Sequence, residues 1–269
     1  MPSFPRMQSV ARALQILAEV NRLGVASVGA LHKRTGIPKP SIVRLLETLI
    51  HEGYIYKDHR MSGYQVTRLA ATLSSGFHSA PLAIEAARPW AVELTRQLKW
   101  PVGVCTLDGD AVVVCYSTIP DSPISPFHST IGVRFGLARR SLGRAYLAFC
   151  PDDEQEILLR MLEKSDDAES RLCSRKELMA MIVATRERGY AMRDPRIEPR
   201  SSGTVAMPLR LGGRVVATFG VTYFRVAVPA ADLEEKVVRP MRDAVEKIER
   251  DIAGYAKAQA QAQTQEIGG

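Results

Sequence analysis

Two arginines and a serine form the most distinctive chemical feature in the second half of the chain. Arg139, Arg140 and Ser141 stand where the run SLGRAYLAFC predicts the start of an apolar helix. Unpaired N–H groups at a helix N-terminus, together with guanidinium groups, favour an anion such as a carboxylate. The sequence therefore predicts an anion site here. The alternative is that both arginines are solvated or paired with nearby acidic residues.

A second group of polar and basic residues lies near the N-terminus of the chain. Several of them occupy the first turns of a predicted helix, on the face opposite its isoleucine and leucine residues. A helix of this kind fits the major groove of DNA and presents its N-terminal residues to base edges. The candidate DNA-binding residues are Ser27, Lys39, Pro40, Ser41, Arg44, Lys57, His59 and Arg60.

The sequence lacks the motifs of common enzymes. It has no G-x-S-x-G elbow, no G-x-x-x-x-G-K-[ST] loop, no H-E-x-x-H pair and no G-x-G-x-x-G fingerprint. Asp108 and Asp110 flank Gly109, and turn geometry explains this pair without catalysis. The four cysteines show no metal-ligand spacing, so we expect reduced thiols. We therefore expect no enzymatic activity, no metal and no cofactor.

The charge of the chain is unevenly distributed. The 269 residues are 46% hydrophobic and 24% charged, a balance typical of a protein with a sizeable core, and the net charge is +7. Residues 1–78 hold ten Lys/Arg and four Asp/Glu, whereas the remainder is nearly neutral. A basic head joined to a neutral body indicates that the head binds a polyanion. The alternative is that the charge only makes the surface soluble.

The same composition bears on the location of the protein. No apolar run approaches the ~20 residues that span a bilayer. The N-terminus has no apolar segment and no small-residue cleavage site of the kind found in secretion signals. We therefore expect a cytoplasmic protein that does not contact a membrane.

The order of the predicted elements in residues 1–67 is helix, helix, turn, helix and hairpin. The first helix covers 7–22, with Val10, Ala13, Leu14, Leu17 and Ala18 on one apolar stripe. Ser27 is a good N-cap for a helix over 28–34, and a third helix starts at a proline after Gly36 and ends at Gly53. Two short strands follow, with a polar turn over 58–63. This order is typical of a winged helix-turn-helix, which binds DNA or, alternatively, only other proteins.

The rest of the chain predicts an α+β domain with a mainly antiparallel sheet. Strands over 102–107 and 111–117 flank the Asp-Gly turn, and two later strands flank Gly212-Gly213. Helices are predicted over 82–98, in the segments around 141–189 and near the C-terminus. We expect a DNA-binding domain over 1–67, a linker helix over 68–80, a ligand-binding domain over 81–256 and a disordered low-complexity tail over 257–269.

Five segments in this order resemble the IclR family of bacterial transcriptional regulators. They are SVARALQIL (9–17), RTGIPKPSIVRLLETLIHEGY (34–54), SLGRAYLAF (141–149), RERGYA (186–191) and VAMPLRLGGRVVATFGV (205–221). The resemblance implies a winged-helix head, a linker helix and a GAF-like effector-binding domain. It also implies a dimer or tetramer on operator DNA that senses a small metabolite. KWPVGVCTLDGDAVVV and LAFCP are similar to regulators of phenylpropionate-type aromatic catabolism.

The resemblance also places an effector pocket on one face of the sheet. It is closed by the loop of Arg139, Arg140, Ser141 and Leu142 and by side chains of the last strands. A strand position that is commonly polar or Cys falls on Thr204, and two that usually carry small hydroxyl residues fall on Gly220 and Thr222. Thr204 and Gly220 depart from that pattern, and the spacing around Glu198 is altered.

The apolar part of such a pocket needs bulky side chains. The candidates are Phe127, Phe135, Tyr146 and Phe219, each of which is alternatively plain core. His128 is a further candidate, or else an exposed or capping residue. We therefore expect a transcriptional regulator that is controlled by a small, aromatic carboxylate. The alternatives are a DNA-binding protein that ignores ligands and a DNA-binding protein with an enzymatic second domain.

Overall fold

A computed structural model describes residues 7–58, 61–73, 82–125, 130–165 and 173–267 of the chain. It contains two compact units, Met1–Ser79 and Ala80–Gly269. Each unit buries its own set of apolar side chains. The predicted candidates His59, Arg60, Phe127 and His128 lie outside the described residues, as do residues 74–81 of the predicted linker.

The first unit is a winged helix-turn-helix, as the sequence predicts. Its elements are α1 (Gln8–Leu23), α2 (Val28–Thr35), α3 (Lys39–His51), β1 (Ile55–Asp58), β2 (Gly63–Val66) and α4 (Arg68–Thr72). The Ser27 hydroxyl begins α2 by accepting a hydrogen bond from the Ala30 N–H at 3.2 Å. Gly36 ends α2 in the left-handed region, with φ at 69°. The antiparallel pair β1–β2 forms the wing.

The apolar stripe that the sequence predicts on α1 only partly coincides with the face of α1 that packs against the other helices. Ile16 and Val20 are fully buried, whereas Val10 is 50% exposed and Leu14 is 62% exposed. The core of the unit is formed by residues of all three helices with Ile55 of the wing. Which face of α1 is buried depends on where α2 and α3 lie, and helical spacing does not contain that information.

The second unit has a six-stranded antiparallel sheet with helices on both faces. Its elements are α5 (Leu82–Leu98), β3 (Val102–Asp108), β4 (Ala111–Ser117), β5 (Arg134–Gly136), α6 (Ser141–Phe149), α7 (Asp152–Glu163), α8 (Arg175–Arg188), β6 (Ala191–Met192), β7 (Ser202–Leu211), β8 (Arg214–Phe224) and α9 (Arg239–Ile267). The strand order is β5-β4-β3-β8-β7-β6. The predicted α+β class with an antiparallel sheet is confirmed.

The two faces of this sheet bury different sets of side chains. One face packs against α5 and α9 through residues such as Val104, Phe219 and Met241. The other face packs against α6, with α7 and α8 outside it, through residues such as Leu147 and Ala206. Because side chains alternate along a strand, neighbouring residues of β8 belong to opposite faces. This alternation decides which residues of β8 reach α6.

The end of the chain differs from the predicted disordered tail. A π-helical turn, Glu234–Val238, precedes α9, and α9 continues to Ile267. Pro240 lacks an N–H, so a regular i to i−4 bond cannot form at that position. Alanine and glutamine make up eight of residues 256–265, and both favour a helix that has already started. Within the described residues, no helix combines the length and the apolar character needed to cross a membrane.

Candidate functional site

The exposed side of α3 carries the cations that the sequence predicts for DNA. Lys39, Pro40 and Arg44 are exposed and Ser41 is half-buried, while Ile42 faces the core. Neither Lys39 nor Arg44 forms an ion pair or a side-chain hydrogen bond with any residue that the structure describes. The first half of α3 therefore presents free positive charge to the solvent, as phosphate or base contacts require.

A groove between α1 and α3 adds a residue that the sequence analysis did not include. Ser9, Arg12, Ser41, Arg44 and Thr48 line it together with Leu45 and Glu47. Arg12 is exposed and lies beside the face of α3 that carries Arg44. The signal for Arg12 was present in the sequence, since Arg12 lies off the apolar stripe of a helix next to the recognition helix.

The remaining predicted DNA contacts are the wing residues and Ser27. Lys57 is exposed on β1, and His59 and Arg60 lie outside the described residues. Ser27 is exposed, but its hydroxyl is engaged as the N-cap of α2. A capping role explains Ser27 without any contact to DNA.

The second unit contains a cavity of about 200 Å³ between the sheet and the start of α6. Apolar side chains form most of the wall, and the polar groups gather at α6, β7 and β8. The lining residues are Pro101, Val102, Gly103, Val114, Ser117, Ile119, Thr130, Val133, Phe135, Arg140, Ser141, Leu142, Arg193, Thr204, Gly220 and Thr222. No aspartate or glutamate of the described chain lines the cavity.

The cavity brings together six of the predicted effector-site residues. They are Phe135, Arg140, Ser141, Leu142, Thr204 and Thr222. Thr204 and Thr222 stand opposite each other on β7 and β8, and their hydroxyl oxygens lie 3.1 Å apart. The Arg140 guanidinium lies over the Phe135 ring, with 5.8 Å between its Cζ and the ring centroid. A hydroxyl pair and a cation thus face an apolar space.

Gly220 explains one departure from the resemblance. A Cβ atom at this position would lie 3.0 Å from Leu142 Cδ2 and 3.1 Å from the carbonyl oxygen of Val205. Because these distances are tighter than ordinary contacts, Leu142 occupies the space that a serine would need. The floor of the cavity is therefore apolar at this point. Glu198 is exposed and binds the backbone N–H of Arg200, outside the cavity wall.

Arg139 lies outside the cavity lining, although the sequence predicts it beside Arg140. Only 4% of Arg139 is exposed, and its Nη1 lies 3.7 Å from Asp194 Oδ2. Its Nε donates to Cys173 Sγ at 3.3 Å. Arg140 has an extended backbone, so neighbouring side chains point in opposite directions. The structure therefore separates the two arginines into one that pairs with acid and one that lines the cavity.

Tyr146 and Phe219 also lie outside the cavity lining. The Tyr146 hydroxyl donates to Glu154 Oε1 at 2.7 Å, and burial together with this bond raises the pKa of Tyr146. Phe219 is fully buried on the face of the sheet that packs against α5 and α9. Thr222 and Phe219 are three residues apart on one strand, so they face opposite sides. This odd spacing is visible in the sequence, and it already excluded a pocket shared by Phe219 and Thr222.

Asp194 joins the two segments that carry the cavity arginines, Arg140 and Arg193. Its carboxylate binds the Arg196 side chain at 2.9 and 3.0 Å and the Arg144 Nη2 at 3.2 Å. The Arg196 hydrogen bond is the main cause that lowers the pKa of Asp194 to about 2. Arg144 also donates to the carbonyl of Ala138 at 2.8 Å. This cluster fixes the loop before α6 against the segment after β6.

Arg193 is the charged residue of the cavity wall that the sequence did not predict. It is 5% exposed and belongs to the cavity wall. Its Nη2 donates to the carbonyl oxygens of Pro199, at 2.7 Å, and of Ser202, and to the Ser202 hydroxyl at 3.0 Å. Burial lowers the pKa of Arg193, and the neighbouring Arg140 lowers it further. In the sequence the residue gives no signal, because it follows a two-residue strand in an irregular segment.

Metal chemistry finds no support in the described part of the chain. No group of three or more His, Cys, Asp or Glu side chains there is arranged to hold a metal ion.

Taken together, the structure shows a helix-turn-helix unit with unpaired cations and a second α+β unit with a cationic cavity. Such a chain is a DNA-binding protein that carries a separate domain with an internal ligand-sized space.

The comparisons with known proteins identify the family. The family model of the IclR helix-turn-helix domain matches residues 9–59, and the model of the bacterial transcriptional regulator IclR C-terminal domain matches residues 77–250. The chain is 29% identical over 235 residues to the HTH-type transcriptional regulator XynR of Escherichia coli K12, covering 86% of this chain and 91% of XynR. The chain therefore belongs to the IclR family and is a transcriptional regulator, not an enzyme.

Solved structures show the same fold. The IclR protein of Thermotoga maritima superposes with a TM-score of 0.67 at 20% identity, covering 92% of this chain and all of that one. An IclR homologue from Microbacterium hydrocarbonoxydans, complexed with 4-hydroxybenzoate, superposes with a TM-score of 0.64 at 16% identity, again covering 92% and 100%. At these identities the likeness concerns the fold alone.

Proposed function

We propose that this regulator binds operator DNA as a dimer or tetramer and is controlled by a small aromatic carboxylate in the cavity of its second unit. The observation that carries the proposal is the composition of the cavity wall. It combines two arginines, Arg140 and Arg193, with apolar residues, and no aspartate or glutamate of the described chain belongs to it. Such a wall favours one negatively charged group attached to an apolar body.

The size of the cavity is consistent with one aromatic ring. An apolar protein cavity of about 150 Å³ is large enough to bind benzene. The cavity here measures about 200 Å³, which leaves room for a carboxylate beside the ring. The family member that was solved with 4-hydroxybenzoate gives further support, since that ligand has the same two parts.

The first unit supports the DNA-binding part of the proposal. Lys39 and Arg44 are exposed at the start of α3, where a helix-turn-helix protein contacts base edges and phosphates. Two such units in a dimer would bind two half-sites of an operator. On this proposal residues 1–67 bind DNA, residues 68–80 link the units, and the effector domain begins at residue 81. The regulator would act in the cytoplasm, where operators lie.

Control by a ligand requires unequal affinity for two states of the protein. An effector that changes operator affinity tenfold contributes ~1.4 kcal/mol of coupling between the two sites. By reciprocity, the operator changes the affinity for the effector by the same factor. The proposal therefore predicts that operator DNA alters the dissociation constant of the effector.

The first test is a melting-temperature screen of the full chain against aromatic and aliphatic carboxylates. A ligand at 100 times its dissociation constant adds ~2.7 kcal/mol of stability, so a true effector raises the melting temperature clearly. An operator is then selected from random duplexes, and its affinity is measured by fluorescence anisotropy with and without that ligand. We expect the affinity to change at least several-fold.

A cavity-filling variant provides the matched control. Val133 is half-buried in the cavity wall, and Val133→Phe adds volume inside the space. We expect this variant to bind the operator normally and to lose the response to the ligand. Operator affinity that no ligand changes, in the wild type, would instead show a DNA-binding protein that ignores effectors.

A further inference from the structure

Arg193 is a buried cation that forms no ion pair in the described chain, and Glu198, whose charge acts on it, is exposed and pairs with Arg200. It is 5% exposed, and its Nη2 contacts only carbonyl and hydroxyl oxygens. No aspartate or glutamate of the described residues forms an ion pair with it. Arg139, which is 4% exposed, instead lies 3.7 Å from Asp194. Two arginines with equal burial thus differ in whether the chain supplies a negative partner.

The Arg193 side chain also retains an unused donor. Its Nε is buried and has no hydrogen-bond partner within the described residues. Buried donors are nearly always paired, and an unpaired one calls for a specific explanation. The same is true of a buried charge, which is costly unless it is paired. Arg193 therefore retains the capacity to bind one more acceptor, and a negatively charged acceptor would compensate its buried charge.

The position of Arg193 shows where such an acceptor would lie. Arg193 forms part of the wall of the 200 Å³ cavity, together with the N-terminus of α6 at Ser141. Arg140 occupies the N-cap position of α6, but its side chain does not cap the helix. The first backbone N–H groups of α6 therefore lack a capping side chain. The positive end of the helix and Arg193 therefore border the same small space.

We propose that Arg193 is the anion anchor of the cavity and that the effector carboxylate is its missing counter-ion. This inference rests on the proposed function and adds the residue that selects the ligand's charge. Arg140 is half-buried and lies over the Phe135 ring, so it contributes to the wall beside the ring-binding part. Arg193 consequently discriminates a carboxylate from a neutral group of the same shape.

The test compares acids with the amides of the same shape. The probes are benzoate and benzamide, 4-hydroxybenzoate and 4-hydroxybenzamide, and 3-phenylpropanoate and 3-phenylpropanamide. Binding to the full chain is measured by isothermal titration calorimetry. For the pair that binds best, we expect the wild type to prefer the acid at least tenfold. Arg193→Gln should lose that preference, while the affinity for the amide changes less than threefold.

Arg225 offers a matched control. Its Nε also donates to the carbonyl of Ser202, at 3.2 Å, but Arg225 does not line the cavity. Arg225→Gln removes a neighbouring positive charge, and we expect it to keep the acid preference within threefold. Arg193→Lys retains a charge and should keep part of the preference. If Arg193→Gln unfolds, Arg193→Lys still tests the inference, because an acid preference equal to that of the wild type would reject a role for the guanidinium group.

The outcomes separate this inference from the proposed function. If the wild type binds an acid and its amide equally, or if Arg193→Gln keeps the full preference, Arg193 is not the anchor and the aromatic effector stands. Loss of the preference in Arg225→Gln to the same extent would also reject a specific role for Arg193. If the wild type binds no acid of the panel, the proposed aromatic effector itself is wrong.

Discussion

The cations of the first unit and those of the cavity differ in their surroundings. Arg12, Lys39 and Arg44 are exposed, and the structure shows no ion pair for them within the described residues. Arg193 is buried in a cavity wall, with no carboxylate beside it there. Both sets attract anions, but water and salt screen the first set and scarcely reach the second.

This difference determines which anion each set is suited to. Exposed cations contribute by releasing counterions from a polyanion, so many weak contacts add up along a DNA backbone. A single buried guanidinium instead requires one well-placed acceptor, because its desolvation is otherwise not offset. The same residue type can therefore contact DNA in one unit and a small metabolite in the other. Burial, not residue type, decides which anion an arginine binds.

The largest expected effect concerns the buried cations that do have a partner. Asp194→Asn removes the carboxylate shared by Arg139, Arg144 and Arg196. Breaking a buried ion pair typically costs about 3–5 kcal/mol, because it leaves uncompensated charge. We expect the second unit to lose about that much stability in urea unfolding followed by circular dichroism. Asp108→Asn, in an exposed pair with Arg134, should cost at most about 1 kcal/mol.

The dependence of stability on pH provides a second check of the role of Asp194. Its pKa in the folded protein is lowered from 3.8 to about 2, mainly by the Arg196 hydrogen bond. A lowered folded-state pKa gives stability that is present above the unfolded value and lost as the pH falls through the folded value. We therefore expect the wild type to lose stability between pH 4 and pH 2. If Asp194→Asn shows the same loss, Asp194 is not its source.

A smaller effect is expected for the recognition helix. If Arg44 contacts a base edge, Arg44→Ala should weaken operator binding by about 1–3 kcal/mol, as measured by fluorescence anisotropy. Binding to unrelated DNA should weaken less. Arg34→Ala is the matched control, since Arg34 is exposed on α2 but pairs with Glu19 at 2.6 Å. Equal losses in both variants would show a general effect of charge.

The smallest expected effect is a change in how operator affinity depends on salt concentration, and it tests the difference between exposed and buried cations. Each phosphate contact adds about 0.9 to the slope of log affinity against log salt concentration. Arg12→Ala should lower the slope for operator binding by about that amount if Arg12 contacts one phosphate. Arg193→Gln should leave the slope unchanged, because a buried residue does not release counterions from DNA. A slope that changes in Arg193→Gln would contradict the division between the two sets of cations.

The sequence predicted the local elements well where side chains act on their own backbone. Ser27 caps α2, Gly36 ends it, and the Asp-Gly pair forms the turn between β3 and β4, as expected. These outcomes depend on hydrogen bonds and backbone angles within a few residues. The predicted apolar stripe of α1 was right only in part. Leu17 packs against the core, but Ile16 and Val20, which the stripe omits, are fully buried there through contacts with other helices.

The candidate cavity was predicted only in part. Arg140, Thr204 and Thr222 line it, whereas Tyr146 and Phe219 face other parts of the core. The residues of the cavity wall come from segments more than 100 positions apart in the chain. Their meeting depends on the register of β3, β7 and β8, which no single segment encodes.

Three features could be predicted without coordinates: a basic helix-turn-helix unit, an antiparallel α+β domain and an arginine pair at the start of α6. Periodicity, caps, turns and charge are local properties, so they can be identified without coordinates. The pairing of Arg139 with Asp194, and the place of Arg140 and Arg193 in the cavity wall, follow from folding alone. The physical reason is that burial and counter-ions depend on segments brought together by folding, and those two factors decide what an arginine can bind.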